Sequence, residues 1–166
     1  MTTTVLETPP VLEVLVPMVP NLRRAVERIA THDFSVIRGK ILKEDALPLD
    51  IVDQAIDEFR RFFILIRLGY TDLGMPSKVV DEVWHTFILF TRMYHAFCDE
   101  VMGGYVHHLP CTIDEPIPSS TVSSLYAAYE QAFGFRPGPL WRDDAAAECG
   151  PGCGHCMGDD GKHCKN

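Results

Sequence analysis

The chain is expected to fold as an all-α domain of about five helices packed around one long central helix, at about residues 77–102, with a Cys- and Gly-rich tail after it. Three observations carry this expectation. Apolar residues recur at i, i+3, i+4 and i+7 in successive stretches, each opened by a residue that can cap a helix. No two alternating apolar runs are joined by hairpin chemistry. Residues 78–102 contain neither Gly nor Pro, and Gly103-Gly104 then stop the run, because glycine takes the left-handed conformation at little cost.

In chain order, residues 1–20 hold four prolines and form an extended or disordered arm, in which Val11 to Val16 can dock as a short strand-like piece. The helical domain runs over residues 21–142. Asn21 can cap a first helix carrying Leu22, Ala25, Val26, Ile29 and Ala30 on one face. Asp33 can cap a second, with Phe34, Ile37, Ile41 and Leu42 as its stripe and Gly39 as its weak point. Asp50 caps a third that buries Ile51, Val52, Ala55, Ile56, Phe59, Phe62, Phe63 and Ile66 and ends at Gly69. Ser77 caps the central helix, and Asp81 and Glu82 sit early in it, where the helix dipole favours acids. A connector rich in proline follows. Ser119 or Ser120 then caps a last helix with Val122, Leu125, Tyr126, Tyr129 and Phe133 on its apolar face, ended by Gly134. Trp141 is expected to fold back on the body. Residues 143–166 form the tail, which has almost nothing apolar to bury.

Composition narrows the function. An apolar fraction of 46% and a charged fraction of 23% are ordinary globular values. A net charge of −8 argues against a general nucleic-acid binder or a ligand of anionic membranes. No apolar run approaches the ~20 residues of a membrane span. The N-terminus lacks the basic and apolar regions of a signal peptide, so a cytoplasmic, reducing location is expected, with the cysteines as thiols or metal ligands.

At 100° per residue, residues 78–102 are apolar on most sides. Val80, Trp84, Phe87, Thr91, Tyr94, Cys98 and Met102 make one face, and Trp84 is its expected core anchor. A polar stripe remains, formed by Asp81, His85, Arg92, His95 and Asp99 and interrupted by Ile88. Asp81 and His85, at i and i+4, form a candidate pair, either a structural hydrogen bond or a metal-ligating His with its acidic partner. His107 and His108 cannot join them if the helix is unbroken. Residues 85 to 102 would span about 25 Å of helix, while six residues of returning chain reach about 20 Å. Within reach of the His pair are His95, Cys98 and Asp99, so His95, Asp99, His107 and His108 form a second candidate metal set. Cys98 reads as a small buried hydrophobe.

The run Val80-Asp81-Glu82-Val83-Trp84-His85, with Thr91, Tyr94, Phe97-Cys98, Gly103 and His107-His108-x-Pro110, resembles the glycine-rich domain-containing protein-like family, which has bacterial members and larger plant relatives. Glu58-Phe59-Arg60-Arg61-Phe62 and Phe133-Gly134-Phe135-Arg136-Pro137 with Trp141 look like it too, so the resemblance covers roughly residues 30–142. The Cys/Gly-rich tail is similar to tails of bacterial members. Where the family often reads Trp-His-x-His, this chain has Phe87 at the second His position. The resemblance implies a domain type and no activity.

The tail carries the denser motif. Cys149, Cys153 and Cys156 place three thiols within eight residues, and Cys164, His155 or His163 can complete a set of four. Zinc or another thiophilic metal wants such a set on glycine-permitted turns. The chain therefore reads first as a non-catalytic metal-binding or protein-interaction module. A metal-dependent enzyme using the polar stripe is the alternative, and a structural domain whose tail is modified or bound by a partner is another. No catalytic triad order or phosphate loop is assignable.

Overall fold

The computed structural model of this chain describes residues 19–109 and 116–141. The N-terminal arm to residue 18, Cys111 and the tail with Cys149, Cys153, Cys156 and Cys164 lie outside the described residues. Within them the fold is all-α, with no strand. The helices are α1 (Pro20–Ala30), α2 (Ser35–Lys43), α3 (Leu49–Arg67), α4 (Lys78–Leu89), α5 (Thr91–Phe97) and α6 (Ser119–Phe133). A π-helical turn, Cys98–Met102, continues α5, and a 3-10 turn, Pro139–Trp141, follows α6. No helix among the described residues is long and apolar enough to cross a membrane.

The caps show how local chemistry sets the ends. Ser77 does cap α4, its Oγ accepting from the Val80 N–H at 3.2 Å. Asp33 accepts from the Ser35 N–H at 2.9 Å, at the threshold of α2. The first and third helices begin two residues earlier than Asn21 and Asp50 as caps would have them, and α6 begins directly after a proline. Pro20 occupies the first position of α1, where its missing N–H costs nothing, and Pro48 and Pro118 precede α3 and α6 in extended backbone. Asp50 therefore sits inside the first turn of α3 as a dipole partner rather than as its cap. Gly103 and Gly134 end their helices at φ 78° and 76°, values that strain any residue with a Cβ.

The elements converge on α3, which packs against α1, α2, α4 and α6. Val52, Ala55, Ile56, Phe59, Phe62, Phe63, Ile64 and Leu65 are all buried along it. The stretch expected to form one central helix is instead divided at Phe90, whose φ of −86° and ψ of 61° leave the α region. The Phe90 N–H bonds to the Phe87 carbonyl at 3.0 Å, closing a tight last turn, and α5 starts afresh at Thr91.

Aromatic packing explains the break. In a continuous helix Phe87 and Phe97 would be about 15 Å apart along the axis. Their rings lie 5.4 Å apart, and Tyr94 meets Phe87 at 5.2 Å. Phe34, Phe59 and Phe63 join the same cluster. Edge-to-face contacts of this kind add to the burial of large rings, and together they outweigh the few helix hydrogen bonds given up. Carbonyls freed at the π-turn are met from outside it. Arg28 donates to the Glu100 carbonyl at 2.5 Å and Arg67 to that of Val101 at 3.3 Å.

A second buried network fixes α6 and the 3-10 turn on α3. Glu58 accepts from the Tyr129 hydroxyl and the Trp141 indole N–H, each at 2.7 Å, and from Arg61 at 2.8 Å. Arg61 also lies over the Phe135 ring at 6.0 Å. Trp141 is buried, as its expected return to the body requires. Burial and the neighbouring Glu58 carboxylate push the Tyr129 hydroxyl well above its ordinary value, so it stays a donor.

His32 is held in an apolar setting, its ring against Phe34 at 4.8 Å and Phe97 at 4.7 Å. Its buried Nε2 has no hydrogen-bond partner among the described residues. Burial, and then the Arg60 guanidinium, lower its pKa from 6.5. The unfolded chain takes up this proton near pH 6.5 and the folded one only at lower pH. His32 therefore costs no stability above that value and an increasing amount as the pH falls below it. The urea midpoint of the parent is expected to fall more steeply from pH 7 to 5.5 than that of His32→Gln. Parallel slopes would show that His32 titrates normally.

Candidate metal centre

The break at Phe90 changes what the returning chain can reach. After the π-turn, Gly103 reverses the backbone, and residues 105–109 run back along α4 without regular structure. His108 arrives beside the first turns of α4. Its Nε2 lies 2.8 Å from Asp81 Oδ1. His85 Nδ1 lies 3.4 Å from the other carboxylate oxygen, Oδ2. The two imidazoles face each other at 4.5 Å, inclined by 32°. The expectation that His85 and His108 could not meet is overturned, because it assumed a straight helix through Phe90.

Asp81, His85 and His108 each offer one ligand atom, and these atoms all lie within 4.8 Å of one another. This is the one such group of three among the described residues. Its exposure is graded, with side chains 11% exposed for His108, 25% for Asp81 and 50% for His85. One wall is closed by protein, since the Trp84 ring meets His108 edge-on at 4.4 Å. The other side, at His85, is open.

Asp81 and His85 do lie on one face, as their spacing requires, but the closer partner of Asp81 is His108. Trp84 is core, 6% exposed and packed on Phe59, Phe62 and Phe63. Cys98 is buried, and burial raises its thiol pKa, which suits a packing residue better than a thiolate ligand. The second candidate set is split. His108 turns to Asp81, while His95 and His107 pack against the Tyr105 ring, tilted and edge-on, at 4.9 and 4.7 Å, and Asp99 is exposed. Phe87, two residues after His85, is fully buried and packs into the aromatic core rather than into this cluster.

Two further residues hold the site and were not singled out for it by sequence. The Trp84 indole N–H donates to the Tyr94 hydroxyl at 3.0 Å, and that hydroxyl donates to the Val106 carbonyl, two residues before His108. The trace of this arrangement in the sequence is the interruption of the polar stripe at Ile88, next to the break.

No curated protein and no solved structure matches the chain. Residues 24–132 match the UCP032817-like family, from within α1 to near the end of α6, with the cluster of Asp81, His85 and His108 inside the match. On that match, which covers well over half of its length, the chain belongs to the UCP032817-like family.

Proposed function

We propose that this domain is a metal-binding module that holds a divalent transition ion between Asp81, His85 and His108. The observation that carries the reading is the convergence of three ligand atoms within 4.8 Å, contributed by two separate segments of chain. Donors about 2.0–2.2 Å from a tetrahedral zinc lie about 3.3 Å from one another. The half-exposed His85 has the freedom to close the remaining gap by a change of rotamer. Two imidazoles and a carboxylate suit zinc, iron or nickel better than calcium or magnesium.

The three-ligand count also favours a second reading. Structural zinc sites are closed by four protein ligands, whereas catalytic ones keep a position for water. The exposed side at His85 offers that position, which makes metal-dependent catalysis the alternative function. A separate thiolate site at Cys149, Cys153, Cys156 and Cys164 belongs to the proposal on spacing alone, with zinc or another thiophilic metal as its occupant. So do a reducing cytoplasmic setting, docking to a protein partner and kinship with the glycine-rich domain-containing protein-like family.

Elemental analysis of the reduced full-length chain after exposure to Zn²⁺ separates the two sites. His108→Ala and His85→Ala are expected to lose one equivalent, with helix content unchanged. Cys153→Ser with Cys156→Ser is expected to keep that equivalent and to lose any bound by the tail. Equal zinc in the parent and both histidine variants would remove the Asp81 site from the proposal.

A further inference from the structure

We infer that Tyr94 is the positioning residue of the Asp81, His85 and His108 site: its hydroxyl sets where His108 stands, by holding the chain at Val106. The metal reading above gives this role its purpose, but the role itself rests on separate contacts. His108 lies on a segment of no regular structure that follows two glycines. Left to itself, such a segment has no reason to keep one imidazole nitrogen at hydrogen-bond distance from Asp81.

The tether is a relay through the core. Trp84 Nε1–H donates to the Tyr94 oxygen at 3.0 Å, and the Tyr94 O–H donates to the Val106 carbonyl. Tyr94 is almost wholly buried, with its ring against Phe87. Burial raises its hydroxyl well above the ordinary value, so the donor proton is kept at any neutral pH. The buried Cys98 thiol lies beside the same two groups, the Tyr94 hydroxyl and the Val106 backbone. Val106 is thus held at its backbone carbonyl. Two residues on, the chain carries His108 to Asp81, within the about 7 Å that two residues can span.

Trp84 closes the circuit. Its N–H fixes the tyrosine, and its ring packs against the His108 imidazole at 4.4 Å. One tryptophan therefore senses both the tether and the ligand. Both departures from α geometry, at Phe90 and at Cys98–Met102, lie between Trp84 and Val106. Without the first, Tyr94 would stand about 15 Å along the helix from Trp84. Irregular turns of the second kind are common where a helix serves a site.

Tyr94→Phe tests the role, because it keeps the ring and removes only the hydroxyl. Two quantities are read in the full-length chain. The first is the position of the His108 ring resonances in metal-free protein, which the Trp84 ring shifts. The second is Co²⁺ affinity, with the visible absorption of the bound ion as its signature. In Tyr94→Phe the His108 resonances are expected to move toward unstructured values, and Co²⁺ affinity to fall by roughly 10–100-fold, the usual effect of losing a group that orients a ligand. Cys98→Ala, which opens space beside Tyr94 but keeps its hydroxyl, should shift both in the same direction by less. Tyr129→Phe is the control, since it loses a buried hydroxyl bond to Glu58 and should lower stability while leaving both readings at parent values.

Unchanged His108 resonances in Tyr94→Phe would overturn the inference, whatever the metal does. Unchanged Co²⁺ affinity beside a parent that binds would overturn it as well. A parent that binds no Co²⁺, while its His108 resonances still move in Tyr94→Phe, would end the metal reading and leave the positioning role standing.

Discussion

Trp84→Ala is expected to destabilise the domain by about 3–5 kcal/mol, the range for truncating a large aromatic in a packed interior. The side chain is buried between α3 and the returning chain, in ring contact with Phe59, Phe62, Phe63 and His108. No neighbouring element can collapse into the hole without losing contacts of its own, so most of the cavity should remain. The variant also takes the donor away from the Tyr94 hydroxyl. At an m-value of about 2 kcal/mol/M, the urea midpoint should drop by about 1.5–2.5 M. Trp84→Phe should cost much less, because it refills part of the space and loses chiefly the N–H. A midpoint for Trp84→Ala within error of the parent would place the indole outside the core.

Glu58→Ala is expected to cost about 3–5 kcal/mol, by a different mechanism. The carboxylate is buried, 7% exposed, and serves three donors, from Arg61, Tyr129 and Trp141. Its removal strands a guanidinium that is itself buried, together with two neutral donors. A charge left without its partner in the interior is costlier than the pair was favourable. Arg61→Ala should also be severe, since it strands the acid. The double variant should cost clearly less than the two changes added, because neither charge then remains to be stranded. Strict additivity would show that the two do not act as a pair. Glu58→Ala should also loosen Trp141 and the end of α6, visible as faster cleavage there by protease, whereas Trp84→Ala should act first on residues 105–109.

The helical class of this protein was legible from local chemistry. Apolar residues at helical spacing in α1, α3 and α6 meet the core because burial follows the 3.6-residue period, and Gly103 and Gly134 end helices because few residues tolerate their positive φ. The burial of Trp84 and Cys98 followed from the same face plot. The candidate site was half legible. The i, i+4 spacing placed Asp81 and His85 together, since a helix turn is a local property of the chain. Tertiary structure alone brought His108 to them. That step depends on a break at Phe90 which no Gly or Pro announces, made worthwhile by rings from Phe34, Phe59 and Phe63 that are distant in sequence. The energy of that cluster is a sum over contacts between elements, and no window of neighbouring residues contains it. For the same reason the sequence could place Glu58 on a helix and Trp141 after another, while only their packing shows a buried carboxylate holding the indole N–H at 2.7 Å.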